Sequence, residues 1–182
     1  TVFLNVLALW KQEARDPQRA AAARQGAVPT EFRKHWNALA DAGRTRRFLL
    51  AVGLGTLAFN MQDVILEPYG GEILKLPVGA TTLLTGLMAA GALVACALAA
   101  RLLARGGDPC RVAAWGLVVG LGGFAAVIFA APLMAPNLFR AGALLIGLGG
   151  GLFAVGTLTA AMGLDNGTGL FGLVIGAWGA VQ

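Results

Sequence analysis

Long apolar runs alternate with short polar breaks along the chain, at about residues 48–66, 77–103, 112–131 and 138–164, with partial runs at 1–10 and 168–182. The complete runs are close to or beyond the roughly 20 residues that carry a helix across a ~30 Å hydrocarbon core. The breaks hold the Gly, Pro and charged residues that end helices: Pro68-Tyr-Gly-Gly71, Arg105-Gly-Gly-Asp-Pro-Cys-Arg111, Pro132-Leu-Met-Ala-Pro-Asn137 and Asp165-Asn-Gly-Thr168. The pattern predicts an all-α, polytopic transmembrane bundle. The last run covers only about 22 Å at 1.5 Å per residue, and the first begins without Met, so the chain reads as an interior piece of a longer protein.

One run departs from this apolar pattern. Residues 58–72, Ala58-Phe-Asn-Met-Gln-Asp-Val-Ile-Leu-Glu-Pro-Tyr-Gly-Gly-Glu72, set Asn60, Gln62, Asp63 and Glu67 into or just beyond the first complete span. A charge near the centre of such a helix costs roughly 2.5–3.5 kcal/mol on insertion scales, so it persists where an interior, a cavity or a partner receives it. On a 3.6-residue period Gly53, Thr56, Asn60, Asp63 and Glu67 share one stripe, with Gln62 on the other side. The stripe is expected to face a bundle interior or a ligand, and Pro68-Tyr-Gly-Gly71 to form the turn that ends the helix, with Glu72 in the loop that follows. A competing assignment pairs Asp63 with Arg140, at the start of the fourth span.

Residues 11–47 form the one long polar segment and carry Lys11, Arg15, Arg19, Arg24, Arg33, Lys34, Arg44, Arg46 and Arg47. With Arg101, Arg105 and Arg111 in a later break, they leave only Lys75 and Arg140 of the 14 basic residues for the opposite side. The positive-inside rule makes 11–47 cytoplasmic. After Pro29, Thr30 caps an expected amphipathic helix to residue 42, whose Phe32, Trp36 and Leu39 would lie on the membrane surface.

Composition agrees: 57% hydrophobic and 13% charged residues, with mean hydropathy +0.72, leave too little polar surface for a water-soluble domain. Most of the 27 glycines lie in apolar runs, where they let transmembrane helices approach closely; Gly147-Leu-Gly-Gly-Gly151 has the GxxxG spacing of such a contact. The net charge of +5 belongs to loops and does not imply nucleic acid. Cys96 and Cys110, without a CxxC or a neighbouring His, read as packed or exposed thiols rather than a disulfide or metal site. One His, no nucleophile–base pair and no metal cluster argue against an enzyme.

The segment 58–72 closely resembles the signature of the PucC family, a bacteriochlorophyll-delivery branch of the major facilitator superfamily, and Ile73-Leu-Lys-Leu-Pro-Val-Gly-Ala-Thr-Thr82 looks like its continuation. The resemblance covers essentially the whole chain, from the end of helix six into part of helix eleven of a twelve-helix protein. Arg101, Arg105, Asp108 and Arg111 resemble a degenerate form of the superfamily's latch loop. The resemblance implies an assembly factor for bacterial light-harvesting complexes in the inner, intracytoplasmic photosynthetic membrane, with bacteriochlorophyll as the ligand. The implied partners are antenna polypeptides or other photosynthetic subunits, membrane lipid and the remaining helices of the full-length protein. The implied binding residues are Asn60, Gln62, Asp63, Glu67, Tyr69, Gly70, Gly71 and Glu72. His35, a ligand type suited to chlorin magnesium, reads instead as a solvated or packed neighbour of Trp36. Two other readings stand beside this one: a secondary transporter of a small solute, with Asp63 and Glu67 as proton or cation sites, and a structural role in which the polar stripe knits helices together.

The charge asymmetry predicts that a reporter tag within residues 11–47 or at Gly106 lies on the cytoplasmic side and one at Gly71 on the opposite side. Protease cleavage at Gly71 from the cytoplasmic face would contradict this topology.

Overall fold

The computed structural model describes residues 43–72, 78–164 and 171–181. Five helices make up these residues: α1 (Gly43–Glu72), α2 (Val78–Ala104), α3 (Pro109–Ala130), α4 (Pro136–Gly163) and α5 (Phe171–Val181). Residues 1–42, with the expected surface helix and His35, lie outside the described residues, as do 73–77 with Lys75 and 165–170 with Asp165. In α1 the backbone of Asp63 and Glu67 is described and their side chains are not. Thr82–Ala104, Pro109–Ala130 and Pro136–Gly163 are each long and apolar enough to cross a bilayer, with mean hydropathies of 2.2, 2.2 and 1.8. The fold is an all-α membrane bundle.

The centre of the bundle is α4: half of its spanning window is buried, against 33% for α3 and 22% for α2. Glycines make this possible. Lipid tails are as apolar as leucine, so burying an apolar side chain against another helix gains little in a bilayer, and association depends on close van der Waals contact. On one side of α4, Gly142, Gly149 and Gly156 recur every seven residues and meet Gly123, Gly116 and Gly120, and Ala113 of α3. A methyl at Gly149 would come within 2.5 Å of the Gly120 nitrogen and 2.7 Å of the Gly116 carbonyl oxygen, so these two backbones touch directly. On the other side, Gly147 lies against the Met88 carbonyl of α2, and Gly151 against Ala92 and Ala95. The GxxxG pair therefore makes the close helix contact that its spacing suggested. Around these contacts Phe139, Ala143 and Ile146 of α4 are fully buried with Leu84 and Ala130. Near the end of α4, Thr157 Oγ1 donates to the Phe153 carbonyl at 2.8 Å and accepts from Trp178 Nε1 of α5 at 3.2 Å. A polar group inside the bundle is thus satisfied by its own helix and by a neighbour.

One expectation for α1 is corrected. The helix does not end at Pro68-Tyr-Gly-Gly71 but runs through it to Glu72. Pro68 forfeits the bond to the Val64 carbonyl and clashes with it, at a cost of about 3 kcal/mol in a helix interior. Packing on both sides offsets that cost: Leu66 and Gly70 are buried, and the Tyr69 ring stacks on Phe139 with centroids 6.1 Å apart and planes at 22°. Tyr69 and Gly70 are therefore packing residues of a continuous helix. The predicted stripe is described only in part: Thr56 is buried, Asn60 is exposed, and the side chains of Asp63 and Glu67 lie outside the described residues. The packed face of α1 is formed by Val52, Gly55, Thr56, Phe59, Leu66 and Gly70, rotated by part of a turn from the predicted polar stripe, so that Asn60 is exposed at its edge. Phe59 sets this rotation. Its ring lies 5.8 Å from that of Phe153 and 6.2 Å from that of Phe124, in a recess where a side chain at Gly120 would collide with it.

The two described turns close α2 and α3 by the same device. Gly107 N–H donates to the Leu102 carbonyl and Gly106 N–H to that of Leu103, each at 3.0 Å, with Gly106 at φ 81°. After α3, Ala135 N–H donates to Ala130 and Met134 N–H to Ala131, each at 3.0 Å, with Met134 at φ 47°. Glycine takes this left-handed conformation freely, whereas a residue with a Cβ pays roughly 1–2 kcal/mol. Met134 is 75% exposed and makes no compensating core contact. Met134→Gly is expected to stabilise the bundle by up to about 1 kcal/mol and Gly106→Ala to destabilise it by about 1 kcal/mol, read as opposite shifts of the midpoint in detergent-denaturation curves. Shifts of the same sign would contradict the assignment.

Candidate functional site

Beside the polar segment of α1, the bundle leaves a groove of about 390 Å³ between α1, α2 and α4, within the ~300–1,000 Å³ range of small-molecule sites. From α1 it takes Thr56, Phe59, Asn60 and Gln62; from α2, Thr85, Met88, Ala89 and Ala92. Its wall on α4 is made of Ile146, Gly147, Gly150, Gly151, Phe153 and Ala154. The glycines that bring α2 onto α4 thus also give the groove a flat back. Asn60, Thr85 and Ala89 are exposed at its rim, whereas Phe153 is 4% exposed and forms part of its floor.

Two α1 residues that border this space carry oxygens buried without a hydrogen-bond partner: Thr56 Oγ1 and Gln62 Oε1. A polar group left unpaired in a dry interior costs roughly 1–3 kcal/mol, and hydrocarbon offers no water to relieve it. Gln62 also borders a second, smaller pocket of about 180 Å³ against α3, lined mainly by apolar residues including Met61, Leu66, Phe124 and Val127. Thr56 and Gln62 border the groove as residues, while their unpaired oxygens are enclosed within the bundle.

The sequence-predicted residues separate accordingly. Asn60 and Gln62, expected on opposite sides of the helix, both border the groove, because Gln62 stands at the edge of the packed face rather than across from it. Asp63 and Glu67 share the helix, but their side chains lie outside the described residues. Tyr69 stacks on Phe139, Gly70 is buried and Glu72 is exposed, and none of these three lines the groove. At Gly71 a side chain would meet open space, so close approach does not require glycine there. Thr56, Phe59, Met88 and Phe153 line the groove without having been singled out as site residues. Of these, Thr56 alone carried a signal in its place on the polar stripe; the others look like ordinary packing residues until the helices are assembled.

The loop after α2 is explained locally. Asp108 caps α3: its Oδ1 accepts from Cys110 N–H at 2.9 Å, with Pro109 in the first turn. Arg111 reaches Asp108 only at 3.9 Å, with the two side chains 85% and 54% exposed, a pairing of little energetic weight. Arg101 and Arg105 are exposed. Cys96 and Cys110 are free and exposed, and among the described residues no group of His, Cys, Asp and Glu could hold a metal ion.

Comparison with known proteins places this geometry in context. Over all its residues the chain is 47% identical to "Protein PucC" of Rhodovulum sulfidophilum, of which it covers 40%. It is 48% identical to an "Uncharacterized protein in puhA-bchM intergenic region" of Rhodobacter capsulatus, covering 38% of it. Over 99% of its length it is 47% identical to "Protein PucC" of Cereibacter sphaeroides, again covering 38%. The chain thus spans about two fifths of the length of these curated relatives. No solved structure matches it. The family described as PUCC protein matches residues 1–182, and the chain belongs to that family.

Proposed function

We propose that this chain is the bundle-forming part of a membrane assembly factor for bacterial light-harvesting complexes, which binds or delivers bacteriochlorophyll, antenna subunits or both. The observation that carries the reading is the family match over the whole chain at 47% identity to a protein named PucC. The groove supports it, since a carrier needs a recess between its helices in which to hold cargo. The role requires no catalytic step. The protein works in the inner, intracytoplasmic membrane as a major-facilitator-type bundle, completed by helices beyond this chain and surrounded by lipid, with antenna polypeptides as partners and no nucleic acid.

In a photosynthetic host, removing the full-length protein that carries this chain should lower antenna absorption several-fold, and restoring it should recover the absorption. Asn60→Leu, which removes a rim amide without touching the packed face, should accumulate normally and restore less antenna than the parent protein. Unchanged antenna absorption in the deletion strain would contradict the proposal, and solute flux through the purified protein in liposomes would favour a transporter.

A further inference from the structure

The turn between α2 and α3 gathers cations beside an apolar surface. Arg101 lies in the last turn of α2, Arg105 follows one turn later and Arg111 sits in the first turn of α3. All three are exposed. Hydrogen bonds from Gly106 and Gly107 N–H to the Leu103 and Leu102 carbonyls, and from Arg111 N–H to the Asp108 carbonyl, keep the turn tight. Asp108 cannot balance three guanidiniums: its Oδ1 accepts from Cys110 N–H, and its Oδ2 lies 3.9 Å from Arg111. Among the described residues Arg101 and Arg105 have no acidic partner.

Helical phase decides what lies beside these charges. Leu98 and Leu102 precede Arg105 by seven and three residues and share its face of α2, while Trp115 and Val118 follow Arg111 by four and seven and share its face of α3. All four are exposed, Trp115 by 65%. The opposite side is the one that meets α1. Phe124, which contacts the Phe59 ring, is nine residues from Trp115, and Ala89, which lines the groove with α1, is nine from Leu98; two and a half turns separate the members of each pair. The spans Thr82–Ala104 and Pro109–Ala130 set Arg105 and Arg111 at the water boundary, with Trp115 about 6 Å deeper than Arg111 and Arg101 close enough to snorkel. The surface therefore joins a cationic edge to an apolar strip. A soluble anion would leave the strip unmatched, and a zwitterionic lipid would bring its own cation to the arginines.

We propose that Arg101, Arg105 and Arg111 bind the phosphate headgroup of an anionic phospholipid whose acyl chains lie along Leu98, Leu102, Trp115 and Val118. The guanidinium forks take phosphate oxygens in pairs, and the Trp115 indole lies at the level of the glycerol backbone, where amphipathic rings settle. This surface is opposite the α1–α2–α4 groove and does not depend on what the groove holds.

The test places the full-length protein in phosphatidylcholine vesicles with a small share of brominated phosphatidylglycerol or brominated phosphatidylcholine. The emission lost on Trp115→Phe isolates that ring, and bromine on an acyl chain quenches it by contact. The anionic lipid should quench Trp115 at least about twofold more effectively than the zwitterionic one. Arg101→Gln, Arg105→Gln and Arg111→Gln combined should bring the two lipids to parity, whereas Arg46→Gln with Arg47→Gln, exposed cations at the start of α1, should leave the preference intact. Equal quenching in the parent protein would overturn the proposal, as would a preference that survives the triple substitution. Loss of the preference in the Arg46 and Arg47 variant would also overturn it, because a diffuse surface potential would then account for the effect. If the triple variant fails to accumulate, Arg105→Gln alone decides: a lowered preference supports the site and an unchanged one contradicts it.

Discussion

Backbone-to-backbone contact along α4 is the constraint on which the rest of this structure depends. In water a helix with this much glycine would be weakened by about 1 kcal/mol per residue relative to alanine. In a bilayer the hydrogen bonds of the helix have no competitor, and the absence of side chains becomes the means of association. One face of α4 meets α3 at seven-residue intervals and another meets α2 through Gly147 and Gly151. The groove is a by-product of that arrangement: α2 and α4 touch so closely at these glycines that α1, held off by the Phe59 ring, leaves a recess against them.

Aromatic packing then decides which residues of α1 look inward. Phe59 and Tyr69 reach α4 at two levels of the helix, against Phe153 and Phe139, and fix the rotation of the segment between them. The amides of Asn60 and Gln62 end on the two borders of the packed face. Pro68 is tolerated within the helix because Leu66 and Gly70 on either side of it are buried.

Much of this fold was legible in the sequence, because apolar run length and loop punctuation report directly on helices in lipid. Gly147 and Gly151 announced their contact by spacing. What periodicity failed to convey was phase and termination. A stripe of polar residues gives the direction of the polar moment, but Val52, Gly55 and Phe59 set the packed face through partners on other helices, a long-range effect absent from the local pattern. Pro68 likewise reads as a stop until the Tyr69–Phe139 stack is known. The groove could not be read at all from single helices, since Met88 and Phe153 resemble any core residue in isolation. The unpaired state of Thr56 and Gln62 is likewise a property of the assembled bundle.

The central claim is that close glycine contacts on α4, rather than general apolarity, hold the bundle and shape the groove. Alanine substitutions test it directly, since Gly147 and Gly149 lie against neighbouring backbone whereas Gly86 and Gly122 have open space where a side chain would go. Measured by reversible denaturation in mixed micelles, Gly147→Ala and Gly149→Ala should each destabilise by about 1–3 kcal/mol through overpacking. Gly86→Ala and Gly122→Ala should be neutral or slightly stabilising from helix propensity. Equal effects at all four positions, or stabilisation at Gly147 and Gly149, would contradict the account.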